Sequence, residues 1–199
     1  MKLYYSPNSP YARIARVIAR ELDQIGSIEE VLSRNRKPDN PVLRYSPVGR
    51  VPMIVEDDLV ITEVGNVVRF LASKSASQDA TSVTSDEWTE IMQEGQILGF
   101  VEGLAFWVRE NRREPEDRSV HLLAVERERA KRCLAYLEGE AQAGHLGEFP
   151  SLRFVALAVG LALADHYDLL TGWKHDFPNL AAWFQDKPER ISMKQTEPI

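Results

Sequence analysis

Ser9-Pro10-Tyr11-Ala12 is the stretch whose residue types could do chemistry. A serine followed by a proline marks a helix start: the Ser9 hydroxyl caps the first turn, and Pro10 suits the first helical position, where its missing N–H costs nothing. A helix N-terminus offers free N–H groups and partial positive charge, which stabilise an anion such as a thiolate by up to about 1–2 kcal/mol. Ser9 stands at that spot with a hydroxyl able to donate a hydrogen bond to an external sulfur. Taken alone, the stretch fits a plain helix cap equally well. The single cysteine, Cys133, excludes intrachain disulfides and reads as a buried structural thiol in a helix. His121, His145, His166 and His175 lack compact metal-ligand spacing, so no metal site is expected.

The elements that must position Ser9 follow from periodicity. Met1 to Tyr5 is β-like, and Ile14, Val17, Ile18, Leu22 and Ile25 then recur at helical spacing, with Arg13, Arg16, Arg20 and Glu21 on other faces. Ser27 to Leu32 predicts a second strand, Arg34 to Pro38 a basic loop, and Asn40 to Tyr45 a short helix. Val51 to Glu56 and Leu59 to Thr62 predict two strands around an Asp57-Asp58 turn, with Pro52 at the strand's start or on an edge. Glu63 to Lys74 predicts a helix capped by Thr62. Beyond a Ser/Thr/Ala/Asp-rich stretch the strand signals vanish, and helices are predicted over 85–112, 119–143, 152–163 and from Pro178 onward. Gly95, Gly99 and Gly103 suggest close packing or a bend in the first of these.

This order predicts an α/β unit at 1–75, a linker at 76–85 and an all-helical domain at 86–199. The chain has 199 residues, 44% hydrophobic and 27% charged, which is ordinary for a soluble globular protein long enough for two small domains. A net charge of −6 argues against a general nucleic-acid binder. With no basic-then-apolar leader and no apolar run near ~18–20 residues, no membrane association is expected and the expected location is cytoplasmic.

In thioredoxin-like redox proteins the positions of Ser9 to Ala12 carry Cys-Pro-Tyr-Cys; without the sulfurs, thiol-disulfide exchange is not expected here. Ser6 to Tyr11, Asn40 to Pro52, Ile61-Thr62-Glu63 and Arg190-Ile191-Ser192-Met193, taken in order, resemble the cytosolic glutathione transferase family, of bacterial serine type, over nearly the whole chain. The resemblance implies a thioredoxin-like N-terminal domain plus an all-α C-terminal domain, and a homodimer with a detoxification role. By the same likeness, Ser9 holds the glutathione sulfur as thiolate, and Val51, before a cis Pro52, pairs its backbone with the cysteinyl part. Glu63 receives the α-amino group, Val64 offers its N–H to the γ-glutamyl carboxylate, and Tyr11 and Arg50 complete the substrate-binding set. Phe100, Leu104 and Trp107 are the candidates for an apolar pocket that holds an electrophilic small molecule. Glutathione is the implied co-substrate, and no metal is implied.

Two positions depart from the family pattern. Val64 replaces the usual Ser or Thr, and a lost hydrogen bond to a charged group costs ~1.5–3 kcal/mol, roughly ten- to a hundredfold in affinity. Phe154 replaces the Asp that would complete a capping box with Ser151, leaving Ser151 to cap alone. Val64 motivates the alternative reading, a glutathione-transferase-like binding or regulatory module without transfer activity.

Overall fold

The computed structural model describes residues 1–33 and 37–199, so the expected basic loop at Arg34 to Pro38 falls partly outside the described residues. Four strands, β1 (Lys2–Tyr5), β2 (Glu29–Leu32), β3 (Met53–Glu56) and β4 (Leu59–Thr62), form one sheet in the order β2-β1-β3-β4. β1 and β2 are parallel, and the other pairs are antiparallel. Helix α1 (Pro10–Glu21) makes the crossover between the parallel pair, and α2 (Val64–Lys74) follows β4 directly. The remainder is helical: α3 (Trp88–Asn111), α4 (Val120–Gln142), α5 (Leu152–His166), α6 (Trp173–Asp176), α7 (Pro178–Phe184) and α8 (Ile191–Lys194). The architecture is thus a thioredoxin-like sheet region followed by an all-α region.

α1 is the element both regions share. Ile14, Val17 and Ile18 point into the large helical core with Leu157 and Leu161, while Ala15 and Ala19 pack on the sheet beside Leu3 and Ile54. Alanines let the helix lie close to the sheet, so the helix is buried on two sides rather than one. Arg13 and Arg16, expected on outer faces, are therefore buried as well. A buried cation requires partners. Arg16 lies 4.1 Å above the Tyr5 ring, and its Nε donates to Glu30 Oε1 at 2.7 Å, with Arg20 Nη2 donating to Glu30 Oε2 at 2.9 Å.

That clamp gives a pH prediction. Burial pushes the Glu30 carboxyl up, but the hydrogen bonds and charges of Arg20 and Arg16 outweigh it and hold the group at about 2, below its ordinary 4.5. A depressed folded value contributes stability that is present above 4.5 and lost as pH falls towards 2. Thermal melts should show Glu30→Gln less stable than wild type by about 1–2 kcal/mol near neutral pH, with the gap closing on acidification through that window.

Three local expectations change. Thr62 does not cap α2: it stays extended and pairs with Met53, and Glu63 takes the N-cap position at φ 68, ψ 133. Ser151 makes no side-chain cap on α5, and the N–H of the first helical residue, Leu152, donates to the Val83 carbonyl at 2.8 Å. Of the three α3 glycines, Gly103 alone is a close approach, since a Cβ there would meet Glu126 Oε2 of α4 at 2.7 Å, whereas Gly95 and Gly99 have open space. The expected linker holds a 3-10 turn, Gln78–Ser82, anchored by the buried Val83.

Candidate functional site

Strand register gathers the candidate residues at one end of the sheet. Tyr4 pairs with Met53, and Met53 pairs with Thr62, so three chain segments leave the sheet side by side. The first runs on through Ser6 to Ser9 and the start of α1. The second is entered by Arg50-Val51-Pro52, with the Val51–Pro52 bond cis. The third is Glu63-Val64 at the start of α2. Residues separated by up to 55 positions in sequence thus meet because β1, β3 and β4 are neighbours.

Ser9 is the N-cap of α1, its Oγ accepting the Ala12 N–H at 3.2 Å. A hydroxyl that accepts from the helix keeps its own proton for an outside acceptor, so capping and donation are compatible in one residue. Ser9 is half-buried, which leaves that proton an approach from solvent.

The start of α2 is built differently. Glu63 makes no capping hydrogen bond, and the first-turn N–H groups of a helix have no intrahelical partner, so the Val64 end of α2 presents donors and positive potential to a carboxylate. A non-glycine residue at φ 68 carries backbone strain of about 1–3 kcal/mol, and such strain gathers at functional sites. The Val64 side chain turns the other way, into the helical core, where it is 7% exposed. Valine at this position thus serves packing.

Tyr11 closes the site against α3. Burial pushes its phenol up to about 12; Glu102 and Glu63 add to the rise, and Arg109 and Arg50 oppose it. Glu102 and Arg109 of α3 and the exposed Arg50 thus act electrostatically on the Tyr11 phenol, whose ring packs on the helical core. Phe106 lies on the α3 face of Glu102 and Arg109, with the Arg109 guanidinium 5.3 Å from its ring centre. Sequence reasoning missed these three, because a mixed polar stripe looks like a solvated helix face.

Phe100, Leu104 and Trp107 do not line this site. Phe100 and Leu104 are almost fully buried in the helical core, and Trp107 is 6% exposed within it, with Arg127 of α4 over its ring at 5.5 Å. They occupy the α3 face that meets α4 and α5, and helical spacing puts Glu102, Phe106 and Arg109 on the other side of α3. Tyr4 packs with Val42, Val51 and Met53 in a small core cluster under the sheet end. Cys133 is half-buried on α4, where burial pushes its thiol up. Among the described residues no group of three or more His, Cys, Asp or Glu is arranged to hold a metal ion, and no helix is long and apolar enough to cross a membrane.

A family model for the N-terminal domain of glutathione S-transferase matches residues 3–79. The curated relative YibF of Escherichia coli (strain K12), an uncharacterized GST-like protein, is 26% identical over 207 aligned residues, covering 100% of this chain and 98% of that protein. A glutathione S-transferase of Methylobacillus flagellatus KT, solved with GSH bound, is 25% identical with a TM-score of 0.85 over 100% of this chain and 99% of that one. A glutathione transferase family member from Pseudomonas fluorescens Pf-5, solved with S-(propanoic acid)-glutathione, is 26% identical with a TM-score of 0.84 over all of both chains.

Proposed function

We infer that this chain, which belongs to the glutathione transferase family, activates the glutathione thiol for attack on an electrophilic carbon. The observation that carries the reading is the convergence of Ser9, the cis Val51–Pro52 bond and the uncapped start of α2 at one sheet end. Glutathione lies along the edge at Val51, with its γ-glutamyl carboxylate on the Val64 N–H and its ammonium at Glu63. Its sulfur accepts the Ser9 hydroxyl proton as a hydrogen bond and remains a thiolate. The thiolate electron pair forms a carbon–sulfur bond, and either a leaving group departs with its electrons or a conjugated atom takes them and a proton from water. Arg50 and Tyr11 border the sulfur's side of the site. Glu102 and Arg109, whose charges act on Tyr11, share one face of α3 with Phe106, which supports an amphipathic rather than wholly apolar electrophile.

The same reading includes a cytoplasmic homodimer with a detoxification role. Trp88 on the first turn of α3 is 82% exposed, and such an assembly would cover it.

Calorimetric titration with reduced glutathione tests the site. Wild type should bind saturably through the Val64 N–H, and Val64→Ser, which keeps that N–H and whose Cβ turns into the core, should bind within about threefold of it. Removing the buried isopropyl group should cost about 1–2 kcal/mol of stability in the same variant. Absence of binding by both proteins at millimolar glutathione would sink the transferase reading. It would favour the non-catalytic module, for which the inward-turned Val64 is the supporting observation.

A further inference from the structure

The segment from Arg190 to Ile199 retraces α1 and is tied to it at Glu21, Arg20 and Arg13, and to the loop before it at Asn8. Arg190 Nε donates to Glu21 Oε1 at 3.0 Å, and the Ser192 hydroxyl bonds the same carboxylate. Arg20 Nε donates to Gln195 Oε1 at 3.1 Å, and Arg13 Nη2 donates to the Met193 carbonyl at 3.1 Å. The Ile199 N–H donates to Asn8 Oδ1 at 3.2 Å, in the loop that leads to Ser9. The strap is built into the core: Met193 and Thr196 are buried, and Thr196 Oγ1 donates to the Ser192 carbonyl at 2.8 Å.

Arg13 is the tie within α1 that lies nearest to Ser9. It follows Ser9 by four residues, one helical turn, and is 6% exposed. Together with Asn8 and Ser9 it lines a narrow gap closed by Val159, Leu163 and Pro198. Its Nε has no hydrogen-bond partner there. A buried guanidinium is costly where an apolar side chain would pack, so its presence asks for a role that packing alone does not fill.

We propose that the 190–199 strap, acting through Arg13, positions Ser9, fixing the direction of its hydroxyl and of the first N–H groups of α1. Arg13 is a positioning residue: it holds the second turn of α1 to the Met193 carbonyl, and Ser9 acts on the sulfur. Burial pulls the guanidinium down to about 10, opposed by Glu197, so it is still charged at neutral pH and its tie persists there. The inference rests on the assignment of the glutathione sulfur to Ser9.

The test follows the thiolate absorbance of bound glutathione against pH, with kcat and KM, in wild type, Ser9→Ala, Arg13→Met and Arg13→Lys. Arg13→Met should raise the bound thiol's pKa and lower kcat at neutral pH about three- to tenfold, with KM for glutathione within about twofold, since Val51, Glu63 and Val64 are untouched. Arg13→Lys, which keeps a donor for the Met193 carbonyl, should recover most of the loss. A wild-type thiol pKa and kcat in Arg13→Met, beside a shifted Ser9→Ala, would overturn the inference alone. An unshifted Ser9→Ala would overturn the assignment beneath it. Should Arg13→Met not fold, Arg190→Gln is read in its place: a shift in the same direction supports the strap's role, and a wild-type value overturns it.

Discussion

Ser9→Ala is expected to lower the conjugation rate at neutral pH about ten- to a hundredfold, because it removes a hydrogen bond to a charged sulfur worth ~1.5–3 kcal/mol. The loss acts through thiol ionisation. A free thiol titrates near ~8.5, and each unit of displacement corresponds to ~1.4 kcal/mol, so the bound thiol should titrate about one to two units higher in the variant. The sign is fixed by the reactive form: activity is present above the bound thiol's pKa and falls as pH drops through it. The limb therefore moves to higher pH in Ser9→Ala, and the two enzymes should converge in alkaline solution. A rate-against-pH profile reads this directly. Equal losses at every pH would instead mean misplaced glutathione. The same substitution removes the N-cap of α1 and should cost ~0.5–2 kcal/mol of stability; Ser9→Thr keeps both cap and donor and should retain most of the activity.

The start of α1 was legible because its signals are local. A cap, a proline at the first helical position and an apolar stripe sit within a few residues, and the structure places the helix at Pro10. The four strands were legible for the same reason, and their family-like order anticipated the sheet. What was not legible depends on how many sides of an element are covered. The apolar stripe of α1 showed one buried side, while the sheet-facing Ala12, Ala15 and Ala19 carry too little hydropathy to announce a second, so Arg13 and Arg16 looked solvated. Thr62 looked like a cap because its residue type fits, but strand pairing with Met53 keeps it extended and moves the turn to Glu63. A left-handed glutamate has no residue-type signal. The four-residue helices α6 and α8 are too short for periodicity to mark.

Phe100→Ala is expected to cost about 3–5 kcal/mol of stability, a large share of the ~5–15 kcal/mol typical of a folded domain. The ring is almost fully buried where α3 and α5 approach closely: a Cβ on Gly160 would stand 3.1 Å from Val101 Cγ2 and 3.5 Å from the Phe100 ring. The two backbones are held by this contact, so the surroundings cannot collapse far into the space the ring leaves, which places the loss at the upper end for aromatic truncation. At about 2–4 °C per kcal/mol for a chain of this size, the melting temperature should fall by roughly 6–20 °C. Phe106→Ala, six residues along the same helix, carries the opposite expectation. Phe106 is half-buried on the α3 face that carries Glu102 and Arg109, so its removal should cost little stability, within about 1 kcal/mol, and should change KM for the electrophile. The pair separates core from pocket on one helix. A stable Phe100→Ala with altered electrophile KM, beside a destabilised Phe106→Ala, would reverse the assignment of the two faces. The stability ranking follows from burial alone and holds whether or not the site transfers glutathione, whereas the KM arm depends on transfer.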